Sequence, residues 1–249
     1  GVDVARALAL GADAAFAGKA FLWSLGALGG EVPRFAHHSL LTGPDGEKLS
    51  KRLGNLALRD LQAEGIEPMA ILSLMARLGS SDPVEVRHSV QEVVDGFNVG
   101  HFGVAPTKFD PADLAPLTAR YLASLPLSAV ADKVAALGVP ADMAERFWLV
   151  VRDNIAVLGD MGAWWELFRD GGKALVDPED ADFIAQAFGM LGEPPYSEAT
   201  WADWTGAVKE ATGRKGKGLF MPLRKAVTGR ERGPEMADVM PLLQVKPRV

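Results

Sequence analysis

Two groups of basic residues carry the side chains of this sequence that are best suited to chemistry with phosphates. The first group follows the turn sequence of residues 43–46 and contains Lys48, Ser50 and Lys51. Two ammonium groups and a hydroxyl at this spacing can reach one polyphosphate from a loop. They can also stabilise charge that develops on phosphate oxygens during transfer. The pattern predicts a loop that holds a triphosphate, and its alternative is a solvated charged loop.

The second group lies near the end of the sequence, where residues 209–233 contain eight Lys or Arg and two Glu. The local charge is therefore +6 in a chain of net charge −6, so the remaining residues together carry −12. An acidic body with one basic stretch steers a polyanion to a single face. Gly216 and Gly218 allow the backbone to approach a phosphate closely. The stretch predicts contact with a nucleic-acid backbone, and its alternative is a solvated charged face.

Composition limits the other functions that this sequence could have. The 249 residues, 48% of them hydrophobic, suffice for one large core or two modest ones. The sequence has no apolar run near the ~20 residues that cross a bilayer, so we expect no membrane partner and a cytoplasmic location. The absence of cysteine excludes disulfides and thiolate catalysis. Four histidines without metal-ligand spacing indicate that no tightly bound metal is present.

The elements that must position these groups are mostly helices. The apolar run before residues 43–46 predicts a strand that ends in a tight turn. Beyond residue 54, Pro68 and the pair Asp177-Pro178 indicate helix starts, and Gly residues indicate helix ends. We predict helices over residues 200–212, 221–227 and 235–243, and linkers at residues 104–111 and 192–197. The tryptophans occur at helical spacing that favours core packing over base stacking: Trp148, Trp164, Trp165, Trp201 and Trp204.

From about Glu31 onwards the sequence resembles the C-terminal half of a bacterial-type glutamyl-tRNA synthetase, a class I enzyme. The run Phe35-Ala36-His37-His38-Ser39-Leu40-Leu41 and the turn after it are similar to the strand and turn before the family's KMSKS signature. Residues 48–52, Lys-Leu-Ser-Lys-Arg, stand in the place of that signature. Residues 65–68 and 216–224, with Thr228-Gly229 and Gly233-Pro234, resemble later segments of the family.

The resemblance implies roles for the basic residues. Lys51 would contact ATP phosphates while glutamyl-adenylate forms, with Lys48 and Ser50 supporting the loop, and Mg²⁺ would enter as part of the ATP complex. The substrates implied are ATP, glutamate and a glutamate-type tRNA. The cations implied to meet the tRNA near its anticodon arm are Arg214, Lys215, Lys217 and Arg224.

The resemblance also implies the fold class and the domain order. We expect a mainly α protein with the helical stem-contact and anticodon-binding domains of a class I synthetase and a small α/β or hairpin portion at its N-terminal end. Residues 31–60 would be a remnant of the catalytic domain, residues 61–140 the stem-contact region, and residues 141–249 the anticodon-binding region. Residues 1–30 would be an appended αβ segment of foreign origin.

Within residues 1–30, the run Gly1 to Trp23 resembles a different family. This run is similar to the closing βα unit of an FMN-dependent α-hydroxy-acid dehydrogenase, a family in which a basic residue at the position of Gly18-Lys19, usually arginine, helps to bind the flavin phosphate. We do not expect FMN to bind, because one barrel unit cannot enclose a flavin. A complete synthetase also needs a Rossmann domain with a His-Ile-Gly-His-type motif and a glutamate pocket, which this sequence does not show. We expect ATP and glutamate to be used only where a complete catalytic domain is supplied.

Three functions therefore remain open at the level of sequence. The first is a glutamate–tRNA ligase portion that binds tRNA and ATP phosphates. The second is a stand-alone RNA-binding module without catalysis. The third is a fragment of an FMN-dependent oxidoreductase.

Overall fold

The computed structural model describes residues 39–47 and 57–248, and these residues are mainly helical, as predicted. Residues 1–38 and the loop residues Lys48, Ser50 and Lys51 lie outside the described residues. The strands are β1 (Leu41–Thr42) and β2 (Thr107–Lys108). The helices are α1 (Leu58–Ala63), α2 (Pro68–Met75), α3 (Val90–Asp95), α4 (Leu114–Ser124), α5 (Ala131–Ala136), α6 (Ala144–Val151), α7 (Met161–Asp170), α8 (Ala181–Gly189), α9 (Thr200–Thr212), α10 (Lys217–Thr228) and α11 (Met236–Val239).

The two short strands form a parallel pair, in which Leu41 lies opposite Thr107 and Thr42 opposite Lys108. Directly after β1 the predicted tight turn is present, because the Gly46 N–H donates to the Gly43 carbonyl at 2.9 Å. The prediction of a linker over residues 104–111 was wrong, since β2 lies within it. A strand of two residues has no periodicity in the sequence, and its partner is more than sixty residues away.

Helix starts follow the local chemistry of the chain. Pro68 occupies the first turn of α2, where its missing N–H costs no hydrogen bond. The helix predicted over residues 200–212 has these bounds in α9. The helix predicted over residues 221–227 is longer, because α10 begins at Lys217 and contains Pro222 in its interior. The helix predicted over residues 235–243 is instead α11 followed by the 3₁₀ turn Met240–Leu242.

Apolar side chains form two clusters. The smaller cluster joins Leu61 and Leu74 to Phe109, Leu114 and Leu117. The larger cluster extends from Leu122 to Leu243 and contains four of the tryptophans, and their burial confirms the prediction of core packing: Trp148, Trp164, Trp165 and Trp204. Helix α4 belongs to both clusters, with Leu114 and Leu117 in one and Leu122 in the other. In the part of the chain that the structure describes, no helix has the length and apolarity that a bilayer crossing requires.

Candidate nucleic-acid interface

The basic stretch surrounds the connection between α9 and α10. Gly213 ends α9 at φ +70°, a conformation that favours glycine, and its N–H donates to the Lys209 carbonyl at 2.9 Å. Residues 214–216 form the connection, and Gly216, at φ +56°, precedes the first residue of α10, Lys217. Two glycines with positive φ thus allow the chain to reverse within a few residues.

Arg214 is engaged by groups of the protein itself. Its Nη1 donates to the Asp180 carboxylate at 2.5 Å and to the Gly218 carbonyl at 3.3 Å. The guanidinium carbon lies 3.9 Å from the centre of the Phe183 ring, a cation–π geometry. The Arg214 side chain is 34% exposed, so a minority of its surface is open to solvent. Arg214, which was predicted to contact RNA, therefore also connects the α9–α10 segment to the start of α8.

Pro222 explains why Gly218 can accept from Arg214. In a regular helix the N–H four residues on would donate to the Gly218 carbonyl, but residue 222 is proline and has no N–H. The carbonyl of Gly218 is thereby left for the guanidinium. A proline in a helix interior usually costs stability, and here the lost backbone bond is replaced by a bond to a charged side chain.

The side chains of Lys215 and Lys217 are both exposed and, within residues 57–248, make no hydrogen bond or ion pair. The first turn of α10 contains no acidic residue. The backbone N–H groups of Lys217 and Gly218 also have no acceptor in the described part of the chain. Free N–H groups and the positive end of a helix attract anions, and two unpaired ammonium groups increase that attraction. This end of α10 can therefore bind a phosphate.

Arg224 lies further along α10. Its Nη1 donates to the Pro234 carbonyl at 2.9 Å, which connects α10 to the segment before α11. Arg224 lies seven positions after Lys217, which is about 10 Å along a helix axis. The structure thus brings Arg214, Lys215 and Lys217 together, and places Arg224 about two turns away.

One cation of the basic stretch is withdrawn from solvent. The Lys225 side chain is 9% exposed, and its Nζ lies 2.6 Å from the Asp177 carboxylate and 3.8 Å from Glu231. The hydrogen bond to Asp177 raises the pKa of Lys225 above its ordinary value, against the effect of burial. The sequence had indicated Asp177 as a helix cap, but its side chain makes no cap hydrogen bond and binds Lys225 instead. The count of eight basic residues therefore overstates the charge available to RNA.

Two ring contacts of residues 209–233 were not predicted from the sequence. Phe220, one turn beyond Lys217, is 45% exposed and lies beside Trp201 with ring centres 6.5 Å apart. Arg230 stacks over Trp164 at 4.1 Å from the ring centre. The position of Phe220, one helical turn after Lys217, could have indicated an aromatic ring on the same face of the helix. No sequence pattern indicates that Arg230 stacks on Trp164, because the two residues are far apart in the chain.

The predicted ATP contacts Lys48, Ser50 and Lys51 lie outside the described residues, so their role stays a prediction. Among residues 39–47 and 57–248, no group of three or more metal-binding side chains is arranged to hold an ion.

Two protein-family models match separate segments of this chain. Residues 15–115 match the family model for tRNA synthetases class I (E and Q), catalytic domain. Residues 144–246 match the model for an anticodon binding domain, and this range contains the α9–α10 connection. Part of a class I catalytic domain followed by an anticodon-binding domain defines the chain as a portion of a class I aminoacyl-tRNA synthetase.

Similar proteins narrow the class further. Glutamate–tRNA ligase 1 of Cereibacter sphaeroides is 66% identical over 218 residues, which are 88% of this chain and 49% of that protein. Glutamate–tRNA ligase 2 of Dinoroseobacter shibae is 67% identical over 223 residues, which are 90% of this chain and 51% of that protein. The chain thus belongs to the glutamyl-tRNA synthetase family and corresponds to the C-terminal half of its bacterial members. It spans about half the length of these relatives.

Solved structures show the same fold. Glutamate-tRNA synthetase from Elizabethkingia anophelis aligns with a TM-score of 0.66 at 19% identity, over 98% of this chain and 53% of that one. A glutamate tRNA ligase from Elizabethkingia meningosepticum aligns with a TM-score of 0.67 at 20% identity, over 97% of this chain and 53% of that one. The catalytic-domain match begins at residue 15, inside the segment predicted to be foreign, so residues 15–30 also fit the synthetase model. The origin of residues 1–30 and the domain boundaries stay predictions.

Proposed function

We propose that this chain binds a glutamate-type tRNA at the start of α10 and serves, with a complete catalytic domain, in the ATP-dependent attachment of glutamate to that tRNA. One observation carries the RNA-binding part. Lys215 and Lys217 are exposed and unpaired within the described residues, beside two free N–H groups of a helix end in the anticodon-domain match. These are the groups that hold phosphate oxygens in nucleic-acid complexes.

The four cations have different roles in this proposal. Lys215 and Lys217 contact RNA phosphates directly, because nothing in the described protein competes for their ammonium groups. Arg214 and Arg224 already bond to protein groups and present only part of each guanidinium to a ligand. Phosphate contacts position an RNA without reading its sequence, so this surface supplies affinity more than choice of tRNA.

Salt dependence of RNA binding tests the proposal. Titration of the chain with a transcribed glutamate tRNA at several salt concentrations gives the slope of log affinity against log salt, which reports the number of phosphate contacts. The double variant Lys215→Ala/Lys217→Ala should flatten the slope by about 1.4 to 1.8, since each contact contributes roughly 0.7 to 0.9. Lys133→Ala, in α5, removes an exposed lysine elsewhere and should leave the slope unchanged. An unchanged slope in the double variant would place the RNA surface elsewhere.

For the catalytic part, we propose that Lys48, Ser50 and Lys51 contact the ATP phosphates, with Mg²⁺ bound to the ATP, in the cytoplasm. The synthetase catalytic-domain match over residues 15–115, which includes this loop, supports the proposal. Exchange of pyrophosphate into ATP, with glutamate present, measures adenylate formation directly. Exchange by the chain alone would show autonomous catalysis.

RNA binding without catalysis is the second candidate. It is favoured by the match of residues 144–246 to the anticodon-binding domain model, because this range contains the exposed Lys215 and Lys217. Absence of exchange at high protein concentration, together with salt-dependent tRNA binding, would support this candidate.

A further inference from the structure

Asp180, Phe183, Arg214 and Gly218 form a set of contacts that we name the Arg214 clamp. Asp180 accepts from Arg214 at 2.5 Å, and its carboxylate is 14% exposed. Phe183, buried at the start of α8, lies under the guanidinium at 3.9 Å. Gly218, in the first turn of α10, accepts the third contact. One guanidinium therefore joins the start of α8, the α9–α10 connection and the start of α10.

The position of Asp180 is unfavourable for RNA binding if charge alone is considered. A carboxylate beside a phosphate-binding surface repels the ligand, and its removal would normally strengthen binding. The Asp180 carboxylate however accepts a charge-assisted hydrogen bond from Arg214, and this bond fixes the orientation of the planar guanidinium. Its effect on the connection can therefore outweigh its repulsion of RNA.

We propose that Asp180 and Phe183 are positioning residues for RNA binding: they hold Arg214 so that Lys215 and Lys217 face the phosphates. This inference rests on the proposed function. The connection carries two glycines of positive φ, Gly213 and Gly216, and ordering such a segment costs conformational entropy. Because the clamp orders the segment before RNA arrives, less of that cost falls on binding.

A pair of matched variants tests the inference by the sign of the effect. Asp180→Asn and Asp182→Asn each remove one negative charge from the same region, but the Asp182 side chain is exposed and makes no hydrogen bond or ion pair within residues 57–248. Positioning predicts that Asp180→Asn weakens tRNA binding about tenfold, the effect of one charge-assisted hydrogen bond. Asp182→Asn should leave the affinity unchanged or slightly higher. Asp180→Glu, which keeps the carboxylate, should restore most of the affinity.

Further measurements separate positioning from loss of the fold. Thermal unfolding of each variant shows whether the protein remains folded at the temperature of the binding assay. If Asp180→Asn does not fold, Phe183→Leu replaces it, because this variant removes the ring under Arg214 without changing charge and should also weaken binding. An affinity of Asp180→Asn that is unchanged or higher, as expected for Asp182→Asn, would overturn the inference alone. Absence of salt-dependent binding by the unaltered chain would overturn the proposed function with it.

Discussion

Replacement of Gly229 by alanine should destabilise the protein through one identifiable contact. Gly229 ends α10 at φ +66°, and a Cβ at this position would lie 2.5 Å from the Lys173 carbonyl oxygen. That carbonyl is not free to move away, because the next residues are held to α10. The Leu175 N–H donates to the Lys225 carbonyl at 3.1 Å, and Asp177 bonds to the Lys225 side chain.

Gly213 provides a control for the backbone cost. It ends α9 at φ +70°, almost the same conformation, but a Cβ there meets nothing within 4 Å. Gly213→Ala therefore measures the cost in stability of a positive φ, which is about 1–2 kcal/mol. The stiffer unfolded chain of the alanine variant offsets part of this cost. Gly229→Ala adds the clash, for which about 1–3 kcal/mol is typical of overpacking. When the destabilisation of Gly213→Ala is subtracted from that of Gly229→Ala, the cost of positive φ cancels and the cost of the clash remains.

Urea unfolding of the two variants measures this difference as free energies, and thermal unfolding gives a second reading. A difference of about 1–3 kcal/mol corresponds to about 2–12 °C in midpoint for a chain of this size. Equal stability of Gly213→Ala and Gly229→Ala would show that the Lys173 carbonyl can withdraw without cost. The reasoning that the Lys225 contacts hold this segment in place would then be wrong.

The remaining predictions concern acid stability and the ATP loop. The hydrogen bond with His101, reinforced by the charges of His101 and Arg77, lowers the pKa of Asp82 below its ordinary 3.8. A lowered carboxyl pKa adds stability above the ordinary value and loses it as pH falls through the lowered one. Asp82→Asn should therefore lower the free energy of unfolding at neutral pH and reduce the further loss on acidification, and urea unfolding from about pH 7 to about pH 3 measures both effects. An equal loss at every pH would contradict this assignment. Lys51→Ala should leave tRNA affinity nearly intact in the same binding titration, because its proposed partner is ATP, and a large loss would contradict that division of roles.

The sequence predicted those parts of the fold that depend on neighbouring residues. Thr200 and Gly213 bound α9 because apolar spacing and a terminal glycine act within one helix. Pro222 misled the prediction of α10, since a proline normally marks a first turn. Inside the helix, Pro222 leaves the Gly218 carbonyl without its usual backbone donor, and the Arg214 side chain donates to that carbonyl instead.

The candidate site was predictable in composition but not in the state of its side chains. Local charge indicated Arg214 to Lys217 as a basic surface, and the structure places Lys215 and Lys217 in solvent there. Which cations are already paired depends on residues far away in the chain. Asp180 lies 34 residues before Arg214, and Asp177 lies 48 residues before Lys225. No local pattern connects such pairs, because they meet only when α8 packs near α10.

Helix α4 has a practical consequence for anyone who wishes to express this protein in pieces. A truncation that starts at residue 144, where the anticodon-domain match begins, would discard Leu122, Val130 and Val134 and uncover the apolar surface that they fill. Such uncovered surface promotes aggregation. A truncation that starts at Leu114 would keep those three but expose Leu114 and Leu117. The shared helix makes the two apolar clusters depend on one another for solubility.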